Sequence, residues 1–230
     1  MNNKIIGIIG GMGPEATANL YMKIIKATKV EKDQDHFRVI IDSNPKIPDR
    51  TAAILQNGES PVEEMVKTGR NLEKLGVDVA LIPCNTAHYF IDEVQSQLSI
   101  PILNALEEMN KYIKESFPEI TKIGLLATSG TIKTGLYKKF IMDVEILVPH
   151  PTSQEEKVMK AIYGDNGIKA GNTGDEPMEL LRSASNELIE SGAELIIAGC
   201  TEIGLALKPH HISKPLIDPM DVVAEVVVKK

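Results

Sequence analysis

The chain has 230 residues, 43% of them hydrophobic and 25% charged, with a formal net charge of −7. This is an ordinary globular composition for one domain or two small ones, able to bury about 70% of its unfolded surface without a metal or disulfide staple. The acidic balance argues against nucleic-acid and anionic-membrane partners, and two cysteines exclude zinc ribbons, four-cysteine clusters and a disulfide scaffold.

Short apolar runs alternate with longer amphipathic stretches. Ile5–Ile9 predicts a first buried strand, and Pro14 to about Val30 a helix with proline in its first turn. Phe37–Ile41 predicts a second strand. Ser60 to Leu75 then has a serine cap, Glu63 three residues on, and Val62, Met65, Val66, Leu72 and Leu75 on one stripe. Val77–Ile82 and Pro101–Leu103 complete one set of strands; Ile123–Leu126, Val144–Val148, Leu195–Ala198 and Pro215–Ile217 form a second. The run Gln154-Glu-Glu-Lys157 predicts a solvated helix start. Alternating strands and helices predict parallel βαβ units and an α/β fold.

The two sets match each other. Gly7 pairs with Gly124, Leu20 with Leu136, Cys84 with Cys200 and Pro101 with Pro215, at offsets of 117, 116, 116 and 114 residues. Four ordered matches at nearly one offset indicate a duplicated half. The expectation is two pseudo-symmetric lobes, each a four-stranded parallel sheet flanked by helices, with the active site in the cleft between them. Residues 1–100 with 209–230 form the lobe carrying Cys84, and 101–208 the lobe carrying Cys200.

Each cysteine is expected as the last residue of a strand, just before a helix. Ligands of open α/β sheets bind at that carboxyl end. Asn85-Thr86 and Thr201-Glu202 can present backbone N–H groups to an anion, and the positive helix end would lower a thiol's pKa toward neutrality. One buried apolar cysteine is unremarkable, but the chain's two thiols at matched positions suit inversion of a stereocentre, which needs a base on one face and an acid on the other. A redox pair would normally show as C-x-x-C, which is absent.

Cys84-Asn85-Thr86-Ala87-His88 and Gly199-Cys200-Thr201-Glu202 resemble the two catalytic signatures of the aspartate/glutamate racemase family. Ile8-Ile9-Gly10-Gly11-Met12-Gly13-Pro14-Glu15, Ile47-Pro48-Asp49-Arg50-Thr51 and Ile168-Lys169-Ala170-Gly171 resemble its aspartate racemase branch. Glu202, where glutamate racemases usually carry His, favours the same branch. The resemblance spans essentially the whole chain and implies a cofactor-independent racemase, usually a homodimer, acting on a dicarboxylic amino acid. It implies that Cys84 and Cys200 are the acid/base pair and that Arg50 and Lys169 hold the substrate's carboxylates. Asn85, Thr86, Thr128, Ser129, Thr131 and Thr201 are expected to donate hydrogen bonds to the α-carboxylate, with Met12 and Glu202 lining the site.

Other readings are weaker. Gly11-x-Gly13-x-x-Ala16 fits a dinucleotide turn, but Pro14 removes a phosphate-binding N–H and the acidic strand end Asp42 lies beyond the expected ~20 residues. His36, His88, His150, His210 and His211 show no metal spacing, with His88 expected as a helix residue near the site, and no pyridoxal-phosphate signature is present. A maleate-type isomerase or decarboxylase on the same scaffold and a non-catalytic amino-acid binding protein are the alternatives. No apolar run reaches the ~18–20 residues of a membrane span, and none at the start fits a signal peptide, so the expected compartment is the cytoplasm with free thiols.

Overall fold

The computed structural model describes residues 4–229, which divide into two units: one ending at Glu108 and resumed from Met220, the other Met109–Pro219. The first contains β1 (Ile5–Gly10), α1 (Pro14–Ala27), β2 (Arg38–Ser43), α2 (Arg50–Leu55), α3 (Val62–Lys74), β3 (Val79–Leu81), α4 (Ile91–Gln95) and the start of α5 (Ala105–Ser116). The second contains β4 (Lys122–Leu126), α6 (Ser129–Lys133), α7 (Leu136–Phe140), β5 (Glu145–Leu147), α8 (Pro151–Ser153) and α9 (Lys160–Tyr163). It continues through α10 (Asp175–Glu190), β6 (Leu195–Ala198), α11 (Ile203–Ala206) and β7 (Leu216–Ile217); α12 (Pro219–Lys229) then returns the chain to the first unit.

Both sheets are parallel and wound alike. Their orders are β2-β1-β3 and β5-β4-β6-β7. The fourth strand expected at Pro101–Leu103 is reduced to a single parallel bridge, Ala80 to Ile102, beside β3. Pro101 has no N–H for the ladder, as Pro215 has none in the second sheet, and the stretch is cut short where Asn104 begins the entry to α5. That bridge keeps residues 101–103 with the first unit, and the pairing of β7 on β6 keeps 216–217 with the second.

The strands are apolar runs because helices cover both faces. In β1, Ile6 and Ile8 pack with Leu20 and Ile24 of α1 and with Val223 and Val227 of α12. Ile9 faces the other way, toward Met65, Val66 and Leu72 of α3. Each such fully buried side chain contributes roughly 1.5–3 kcal/mol relative to exposure. The predicted cap of α3 shifts: Ser60 precedes Pro61, a position that disfavours helical backbone, so the helix starts at Val62 and the Pro61 carbonyl accepts from Met65 N–H at 3.0 Å.

The duplication extends to individual contacts. A Cβ on Gly7 would meet Val77 at 2.7 Å and Leu72 at 3.1 Å; one on Gly124 would meet Leu188 at 3.1 Å and Ala193 at 3.2 Å, the residues 116 positions on. Asp78 accepts the N–H of Ile5 at 2.7 Å, and Glu194 accepts that of Lys122 at 3.0 Å. Both halves therefore brace the start of the central strand with a carboxylate and let the following helix-to-strand turn close over a glycine.

Candidate active site

In each sheet the chain leaves the central strand toward one neighbour and later returns on the other side. The carboxyl ends of β1 and β3, and of β4 and β6, therefore flank the topological switch point where α/β folds bind ligands. Met12 follows β1 and Cys84 follows β3; both lie in one buried cluster. Thr128 follows β4 and Cys200 follows β6. The cysteines do not end their strands as expected. β3 stops at Leu81 and β6 at Ala198, and each thiol sits in the turn beyond, where the chain has left the ladder to face the strand ends. Both are buried free thiols.

The first unit holds Met12, Arg50, Cys84, Asn85 and Thr86. Cys84 N–H closes a tight turn on the Ile82 carbonyl at 2.8 Å, and a 3₁₀ turn, Thr86–Phe90, follows. Within that turn His88 is wholly buried. Its Nε2 accepts the N–H of Ala105 at 3.2 Å, so Nδ1 carries the proton donated to the Cys84 carbonyl at 2.9 Å. Burial disfavours the imidazolium and holds the pKa down at about 4. His88 is thus a neutral strut joining the cysteine turn to the first turn of α5, not a charge carrier.

A pH test follows. An unfolded histidine protonates near pH 6.5, whereas folded His88 resists to about 4, so stability falls as pH drops through that window. The expected loss attributable to His88 is about 3 kcal/mol. Chemical denaturation of wild type and His88→Gln at pH 7 and pH 4 measures it; the variant should lose less than wild type by that amount.

Asn85 is 1% exposed, yet among the described residues neither its amide nitrogen nor its amide oxygen has a hydrogen-bond partner. Each such buried group costs about 1–3 kcal/mol, a cost usually retained for a purpose. Arg50 opens α2, which Asp49 caps by accepting from Ala52 N–H at 2.7 Å. Its guanidinium is buried, donating to the Pro48 carbonyl at 2.9 Å, and α2 packs against the 86–90 turn.

The second unit holds Thr128, Ser129, Thr131, Lys169, Cys200, Thr201 and Glu202. Thr128 caps α6, accepting from Thr131 N–H at 3.3 Å, and the two hydroxyls lie 3.1 Å apart. Ser129 donates to Glu155 at 2.8 Å. In the Gln154–Lys157 run Glu155 and Glu156 are exposed as expected, but the helical stretch already starts at Pro151 and Gln154 is not solvated. Gln154 is buried in a π-helical turn between α8 and α9, donating to the Ala127 carbonyl at 2.9 Å.

Glu202 is the centre of this group. One carboxylate oxygen accepts from Cys200 Sγ at 2.9 Å and from the Thr201 hydroxyl at 3.1 Å; the other pairs with Lys169 Nζ at 2.5 Å. Lys169 lies in a 3₁₀ turn, Ile168–Ala170, with its ammonium 5.4 Å from the Tyr163 ring centroid. Burial works against charge on both partners, but Lys169 holds Glu202 below the usual carboxylate range, while the Glu202 charge raises Lys169. Cys200 reverses the expectation of an acidified thiol. Burial and then the Glu202 charge push it well above the ordinary value. The helix beyond it, α11, is a single four-residue turn, too short a dipole to compensate.

The Glu202 hub was not foreseen as a partner of Cys200, although its position two residues on was readable. Among the described residues no group of three or more His, Cys, Asp and Glu is placed to hold a metal, and no helix is long and apolar enough to cross a membrane.

Comparison with known proteins adds the family. The family model described as Asp/Glu/Hydantoin racemase matches residues 9–227. The broad specificity amino-acid racemase RacX of Bacillus subtilis is 31% identical over 220 residues, 93% of this chain and 92% of its own. The solved structure of Picrophilus torridus aspartate racemase superposes with a TM-score of 0.85 at 28% identity, covering 98% of this chain and 93% of that one. An aspartate racemase homologue from Pyrococcus horikoshii gives 0.77 at 25% identity, over 99% and 100% of the two chains.

Proposed function

We propose that this chain, which belongs to the Asp/Glu/Hydantoin racemase family, is an isomerase that interconverts L- and D-aspartate without a cofactor. The observation that carries the reading is the pair of buried thiols at equivalent turns of a duplicated half, each beyond the strand that flanks its sheet's switch point. The reading requires both sulfur atoms to reach one Cα. A thiolate on one face removes the α-proton, the thiol on the other face delivers a proton to the carbanion, and turnover leaves thiol and thiolate exchanged.

The α-carboxylate must accept the charge that develops when the proton leaves, the larger catalytic demand because a thiolate is a modest base. The unsatisfied amide of Asn85 and the hydroxyls of Thr86 and Thr128 supply hydrogen bonds to it in this reading, with Met12 shaping the contact. Arg50 and Lys169 attract the two carboxylates. A guanidinium offers the bidentate fork that suits one of them. The resemblance of Ile47–Thr51 and Ile168–Gly171 to the aspartate branch, together with the Picrophilus neighbour, supports aspartate. RacX supports a second reading in which other amino acids are accepted.

Chiral chromatography of L-aspartate, L-glutamate and a panel of neutral amino acids, incubated without added cofactor, decides between them. D-Aspartate forming fastest supports the proposal, and faster racemisation of neutral side chains transfers it to the broad reading. In D2O, early product should carry deuterium at Cα while unreacted substrate keeps protium. Binding with no enantiomer formed from any member of the panel overturns the enzyme reading.

A further inference from the structure

The two thiols occupy equivalent turns, but only Cys200 has a carboxylate against its sulfur among the hydrogen bonds of the described residues. Glu202 Oε2 accepts from Cys200 at 2.9 Å, and the same carboxylate is anchored by Lys169 at 2.5 Å. Cys200 and Glu202 are both buried, and Glu202's side chain is 7% exposed, so solvent screens their interaction little. The charged or titratable groups around the thiol are Glu202 from its own turn, Lys169 from the 168–170 turn, and Tyr163 at the end of α9 against the Lys169 ammonium. Asp218, after β7, lies against Gly204 on the next turn of the chain.

We infer that Glu202 is a positioning residue that keeps Cys200 protonated in the ligand-free protein, making Cys200 the resting acid of the pair. The geometry makes Cys200 a donor, since an ionised carboxylate can only accept. A thiolate there would face Glu202 at hydrogen-bond distance with one ammonium to neutralise two anions. Two steps are therefore asymmetric, and this assignment rests on the two-thiol reading above. When Cys200 is the acid, its S–H bond breaks, the proton joins Cα, and the thiolate left beside Glu202 is driven to take a proton back. When Cys200 must be the base, its proton first has to leave past Glu202 to solvent while the Cys84 thiolate takes one up from solvent. The freed Cys200 thiolate then takes the Cα proton and Cys84 delivers its own to the opposite face, which restores the Cys84 thiolate and the Cys200 thiol. Because the two enantiomers have equal free energy, this asymmetry appears in the separate kcat and KM values of the two directions while their kcat/KM values stay equal.

The test needs no turnover. In a Cys84→Ala background Cys200 is the single thiol, so its titration is followed by thiolate absorbance and by the pH dependence of iodoacetamide alkylation. Glu202→Gln should lower the midpoint by about one pH unit or more and speed alkylation at pH 7.5 about tenfold. Glu202→Asp, which keeps the charge, should leave the midpoint high. Lys169→Gln should move it up, because the neutralising cation is lost. Opposite shifts from two partners of one ion pair distinguish charge from general loosening, which would move both the same way; circular dichroism confirms each variant is folded. A Glu202→Gln midpoint unchanged from its parent overturns the inference, as does a fall in both variants. An active racemase with an unshifted Cys200 removes only this inference, whereas shifted titration in a protein that racemises nothing removes only the functional reading.

Discussion

Replacing either Cys84 or Cys200 by alanine is expected to abolish racemisation in both directions, with a fall in kcat/KM of about 10²–10⁴-fold, the ordinary contribution of a positioned acid or base. Both directions fail together because each enantiomer needs one sulfur to remove a proton and the other to supply one. The measurement is chiral chromatography starting separately from L- and D-aspartate, with circular dichroism to show that the variants fold. A second readout separates the roles. Alanine at one position leaves a base with no partner acid, so each variant should still exchange the α-proton of one enantiomer with D2O more readily than that of the other, with opposite preference in the two variants. Racemisation within about tenfold of wild type in either variant would remove that cysteine from the chemistry.

The largest expected effect on stability comes from Lys169→Gln. The ammonium is 27% exposed while Glu202 is 7% exposed, so removing the cation leaves a buried carboxylate uncompensated. Breaking a buried pair from one side costs about 3–5 kcal/mol, and the partial exposure of Lys169 puts the expectation near the lower end, about 3 kcal/mol at pH 7. The sign with pH is definite. In the wild type Glu202 is held below the usual carboxylate range, so its stabilisation is full above that range and disappears as pH falls through the folded value. In the variant the Lys169 charge no longer opposes burial, so the Glu202 pKa rises even though Cys200 and Thr201 still donate to the carboxylate, and protonation relieves the buried charge. The deficit should therefore be greatest at neutral pH and shrink toward acid pH, as read from urea denaturation of both proteins at pH 7 and pH 4. A deficit that does not change with pH would show that packing, not charge, holds Lys169 in place.

Particular residues show how much of this was readable beforehand. The strands at Ile5, Ile123 and Leu195 and the helix at Ser60–Leu75 were legible because runs buried on both faces and stripes of period 3.6 leave direct marks on the order of residues. The duplication was legible because Gly7 and Gly124 meet equivalent residues of the following helix, turn or strand, and a glycine required for close approach stays in place. Strand ends were less legible. Where β3 and β6 stop depends on which backbone groups find partners in the neighbouring strand, and Cys84 and Cys200 fall beyond that limit. The first sheet's fourth strand shrinks to one bridge for the same reason.

By itself the sequence determined the α/β class, the repeat and the matched positions of the two cysteines, because periodicity, glycine packing and motif residues are local properties carried along the chain. The protonation states were decided by tertiary structure. Lys169 and Glu202 are 33 residues apart, His88 reaches 17 residues to Ala105, and Asn85 loses its solvent partners only when the turn is buried. A thiol at a helix start reads as acidified when only its neighbours in sequence are considered. Burial removes the water that would support a thiolate and folding places a carboxylate at its sulfur, so Cys200 stays a thiol.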